Sequence, residues 1–226
     1  MTLQYSKEFN QYLNDLKKIS NQIKLLLRYD LKIKCIYYII NFLKQDIWTP
    51  DYETEDIDEI IIKLTKSIND SNLIIDFNLY SKVKFDILSG VPILIDKLMI
   101  KESHRIYKMN EYGLIKILLN IRVIQQMLRN VINYKLDSSD INFGKSIEYF
   151  ELFKTGENNI ADRIIQQINS GNKSSVYSLE EYKNLIRLVF SENLSKPIAN
   201  GKKTTSLSYN MKFDESIKKV VTEFNR

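Results

Sequence analysis

The chain predicts an all-α protein, and two observations carry that prediction. The first is the stretch from Glu111 to Ile132, which has two apolar stripes at helical spacing: Leu114, Ile117, Leu118, Ile121, Ile124, Leu128 and Val131, and then Ile115, Leu119, Val123 and Met127. At about 100° per residue the stripes lie on different sides, with Arg122, Gln126 and Arg129 in the gap between them. A surface helix needs one stripe, so two imply a central helix touched from two sides. The second is the scarcity of breakers: six Gly and three Pro in 226 residues, mostly between periodic runs, favour long helices with short connections.

From Leu3 to Gln45 no Gly or Pro interrupts the chain, and Leu3, Phe9, Leu13, Leu16, Ile19, Ile23, Leu26 and Leu27 recur at three-to-four spacing with Lys and Asn opposite. The β-branched and aromatic run Ile36–Ile40 also suits a short buried strand, but length and the lack of turn residues favour helix. Asn21 or Asp30 is the expected place for a break into two helices. Trp48-Thr49-Pro50-Asp51 ends the run, because Pro restricts the residue before it and Thr and Asp are turn and cap residues. Acidic residues between Asp51 and Glu59 lead into Ile57, Ile60, Ile61, Leu64 and Ile68, and carboxylates suit the positive start of a helix. That periodicity runs on through Leu73, Ile74, Phe77, Tyr80, Val83 and Ile87 to a break at Ser89-Gly90.

Pro92 fits the first turn of a helix from Val91 to about Tyr107, and Asn110 or Glu111 opens the central helix, with Gly113 tolerable in its first turn. Leu136-Asp137-Ser138-Ser139-Asp140 reads as a linker. It divides the chain into a bundle of long helices over 1–136 and a C-terminal bundle of shorter helices over 137–226. The latter holds Ile141–Phe153, stopped at Thr155-Gly156, then Asn159–Ile168, then a helix opened by the capping-box pattern Ser178-Leu179-Glu180-Glu181. Ser195–Ser208 reads as a flexible loop. A last helix from about Tyr209 to Phe224 uses Met211, Ile217, Val220, Val221 and Phe224.

Composition excludes several kinds of chemistry. Cys35 is the lone cysteine and lies in an apolar run, so no internal disulfide forms and a buried thiol is expected rather than a nucleophile. His104 is the lone histidine, so no His-based triad or His-rich metal site can be built. Near a helix end, it suits the role of a surface cation. There is no phosphate-cradling glycine loop, no His-Glu-x-x-His, no Gly-x-Ser-x-Gly elbow and no pattern that marks a catalytic carboxylate pair. Catalytic, cofactor-binding and metal sites are therefore all expected to be absent, and the protein is expected not to be an enzyme. Tyr37, Tyr38, Tyr149 and Tyr182 fall on apolar faces, where packing is their ordinary use.

The net charge is +5, with lysines interspersed among carboxylates, so a nucleic-acid footprint is not expected. Apolar runs such as Ile36–Ile40 and Val91–Ile95 are well short of the ~20 residues that span a bilayer. The N-terminus lacks the order of a signal peptide, and a soluble intracellular protein is expected. Basic residues gather late: Lys196, Lys202, Lys203, Lys212, Lys218 and Lys219. A lysine loop beside a basic amphipathic helix could touch a partner or an anionic membrane at ~1 kcal/mol per charge, although a solvated tail is the plainer reading.

Asn120–Val131, NIRVIQQMLRNV, resembles a segment of the component-4 family of the exocyst, the Sec-eight subunit in yeast, whose pattern is Asn-Ile-x-Val-(Leu/Ile)-Gln-Gln-x-Leu-x-Asn-(Ile/Val). Leu25–Ile40, Lys84–Ile95, Glu148–Leu152 and Tyr177–Tyr182 fall in the family's order as well. The resemblance implies a place at the family's C-terminal end and a fold of stacked antiparallel helical bundles forming an elongated rod, as in multisubunit tethering complexes. It also implies a scaffold that packs on other exocyst subunits in the cytoplasm, peripheral at sites of exocytosis, tethering secretory vesicles to the plasma membrane before SNARE-mediated fusion. Contact with small GTPases or SNARE regulators would come through the complex, and no cofactor is implied. Animal members end in a PDZ-binding tail, whereas this chain ends Thr-Glu-Phe-Asn-Arg, so that contact does not carry over; the Asn200–Asn210 loop departs from the family too. The opening Met1 reads as the start of an excised piece, because the family has a long region upstream.

Overall fold

A computed structural model describes residues 2–132, 143–170, 177–194 and 204–225. These form α1 (Thr2–Leu43), α2 (Glu59–Asn78), α3 (Ser81–Leu88), α4 (Val91–Lys101), α5 (Glu111–Val131), α6 (Gly144–Glu151), α7 (Gly156–Asn169), α8 (Leu179–Leu194) and α9 (Thr204–Phe224), with short 3-10 turns at Glu102–Arg105 and Leu152–Thr155. No strand occurs among the described residues, so the all-α expectation holds.

The 42-residue α1 is one unbroken helix, including Ile36–Ile40, and neither Asn21 nor Asp30 interrupts it. Only its second half is docked: Leu31, Cys35, Ile39, Phe42 and Leu43 are buried. The expected long helix after Glu59 does break, but at Leu79–Tyr80 rather than first at Ser89-Gly90. Both residues there are extended, and the Leu79 N–H closes the last turn of α2 on the Ile75 carbonyl. Asp58 caps α2 by accepting from Ile60 N at 2.8 Å. Its own N–H donates to Oδ1 of the fully buried Asn120 at 2.9 Å, which ties the start of α2 to the middle of α5.

The turn after α1 is clamped against the start of α5. The Trp48 ring meets Phe42 edge-on at 4.9 Å, and its indole N–H donates to the Leu43 carbonyl at 3.3 Å. Asn110 caps α5 through Gly113 N, donates its own N–H to the Trp48 carbonyl and gives its amide to the Pro50 carbonyl. A Cβ at Gly113 would lie 1.8 Å from the Trp48 carbonyl oxygen, so glycine here is required rather than tolerated. Every residue of the first α5 stripe is buried. The second stripe is only half-buried, and Ile115 and Leu119 border an open cleft of about 490 Å³ with Glu53, Thr54, Glu55 and Arg122. The expected contact on that side of α5 is therefore partial.

In the C-terminal portion α8 packs on α9, and α7 on both, while α4 packs on α6. The capping box at α8 forms as expected: Ser178 N donates to Glu181 Oε2 at 2.7 Å and Glu181 N to Ser178 Oγ at 3.4 Å. A ladder of edge-on rings runs Phe150–Tyr149–Tyr177–Tyr182–Phe224. Its hydroxyls are satisfied: Tyr149 Oη donates to the Glu181 carbonyl and pairs with Ser103 Oγ at 2.9 Å, and Tyr177 Oη donates to the Lys145 carbonyl. Burial pushes both phenols well above the ordinary tyrosine range. Arg187 of α8 reaches across to the carbonyls of His104, Ile106 and Tyr107, and Met109 N donates to Ser191 Oγ. Buried side chains from before and after the 133–142 segment thus join in one core cluster. The Asp137–Asp140 linker lies outside the described residues. The final helix begins at Thr204, five residues before the expected Tyr209, so the end of the expected Ser195–Ser208 loop is helical; 195–203 lie outside the described residues.

Candidate interaction surface

The longest uncovered apolar feature is on α1. Residues 7–23 are exposed on every side, and nothing among the described residues packs on them. Along that helix Phe9, Tyr12, Leu16, Ile19, Ile23, Leu26, Ile33 and Tyr37 keep a seven-residue repeat at a and d, broken once by Asp30, and each is at least 44% exposed. A 3.5-residue period is the pattern of a helix that pairs along a seam. Most helical stability in proteins comes from packing an apolar face rather than from propensity. Further exposed apolar side chains lie at the end of α2, where Phe77 and Tyr80 are 91% and 89% exposed, beside Leu73 and Ile74.

The frame that places this seam is antiparallel packing of α1 on α2. Gln45 Nε2 donates to Asp58 Oδ2 at 3.1 Å near one end, and Lys34 Nζ donates to Ser71 Oγ at 2.9 Å farther along. Arg28 then donates twice to the Asp86 carbonyl of α3, at 2.6 and 3.0 Å. The apolar spacing of the seam was legible in the sequence. Its exposure was not, because core and interface stripes share one period.

The late lysines divide. Lys196, Lys202 and Lys203 lie outside the described residues. Lys212, Lys218 and Lys219 sit on the exposed side of α9. Lys212 reaches Asn158 at 3.5 Å and Lys219 pairs with Glu215 at 3.4 Å. Lys218 and Lys219 border an open groove with Glu215, Thr222 and Glu223, so this face is mixed in charge rather than uniformly basic.

Cys35 is fully buried, and burial pushes its thiol up to about 12, the reverse of what a nucleophile needs. His104 is exposed, with Nδ1 on the Lys101 carbonyl. Tyr149 and Tyr182 are core residues as expected, but Tyr37 is 61% exposed and belongs to the α1 seam. No group of three or more metal-ligating side chains occurs among the described residues, and no described helix is long and apolar enough to cross a membrane.

No family model matches the chain. Among curated proteins it is 26% identical over 170 residues to exocyst complex component 4 of Dictyostelium discoideum, covering 75% of this chain and 14% of that protein. It is 23% identical over 168 residues to exocyst complex component 4 of Mus musculus and to that of Homo sapiens, covering 72% of this chain and 17% of each. The chain therefore spans about a sixth of the length of these relatives, and three proteins of one name agree over most of it: it is distantly and consistently similar to exocyst complex component 4.

Proposed function

We infer that this chain is the C-terminal helical part of an exocyst subunit of the component-4 kind. It acts as a non-enzymatic protein-interaction scaffold in tethering secretory vesicles to the plasma membrane before SNARE-mediated fusion. The observation that carries the reading is the similarity over 72–75% of the chain to three exocyst subunits of one name. The exposed apolar seam of α1 supports it, because a contiguous uncovered apolar surface of this kind marks an interface. Within this reading the two portions, 1–136 and 137–226, are successive bundles of a rod. Other exocyst subunits are the direct partners, and GTPases or SNARE regulators are reached through the complex, at the cytoplasmic face of secretory sites. The test is a pull-down of the chain from a lysate of its source cell with bound proteins identified by mass spectrometry. Exocyst subunits are expected. Recovery of none, by this chain and by the full-length subunit alike, overturns the reading.

A further inference from the structure

We draw no further inference here: the strongest candidate, the exposed apolar seam along the first half of α1 that holds Phe9, Tyr12, Leu16, Ile19 and Ile23, carries nothing because nothing in the structure shows what covers it.

Discussion

At the scale of single residues, a few small polar and glycine positions fix how distant segments meet. Gly113→Ala should be strongly destabilising, by roughly 3 kcal/mol or more, because neither backbone partner can yield 1–2 Å without moving a helix. A thermal melt checks it, and an unchanged midpoint would mean that the Trp48 turn is not held against α5. Asn120→Ala leaves the Asp58 N–H without its acceptor in the core and should cost about 1–3 kcal/mol. Asn120 opens the run that carries the family resemblance, so part of that likeness is a structural bond between α2 and α5. Cys35 should resist thiol reagents at pH 8 until the protein unfolds. Its folded pKa is raised above the unfolded one, so below the unfolded pKa its contribution to stability is fully present, and it is lost as pH rises from about 9 toward about 12. Denaturant melts across that alkaline window read the loss, to which the buried phenols Tyr149 and Tyr177 add in the same direction.

At the scale of elements, the two halves of α1 should answer mutation in opposite ways. Ile39→Ala empties a fully buried position and should cost about 2–5 kcal/mol, whereas Ile19→Asp, on the exposed half, should change stability by no more than about 0.5 kcal/mol. Urea melts of the two variants check this, and a large loss from Ile19→Asp would mean that the free half is covered within the chain itself. Helical spacing explains why the sequence revealed the stripe and not its fate: it reports that a face is apolar, and only the neighbours report whether it is covered. The same limit accounts for α5, whose second stripe read as a contact surface and is half-open to a cleft. The α2–α3 break escaped detection for a different reason. Leu79 and Tyr80 are ordinary apolar residues on the helical pattern, and the turn is fixed by where α3 must pack rather than by a breaker. Ser178→Ala should cost about 1 kcal/mol through loss of the α8 cap, a boundary that residue types had marked, as Asn110 had marked the start of α5.

For the whole molecule, the decisive bonds cross between the early and late portions of the chain. Arg187 binds three carbonyls after α4, Ser146 N donates to Asp96 at 2.9 Å, and Ser191 receives Met109 N. Burial of the half-covered guanidinium holds its pKa below the ordinary range, and the carbonyls replace the water it has lost. Arg187→Ala should therefore lower stability by about 2 kcal/mol, a figure typical of hydrogen bonds to a charged group. Tryptophan fluorescence from Trp48 and circular dichroism should unfold together in urea, because the core is continuous. Two separated transitions would show that the portions fold independently. By itself the sequence determined the helical class, the buried stripe of α5, the buried thiol and the likeness to an exocyst subunit, because helical period, composition and local motifs are properties of the chain alone. The tertiary structure decided which apolar faces stay open, where α2 ends against α1, and why position 113 must be glycine. Those depend on distances between segments far apart in the chain, and no local spacing encodes them.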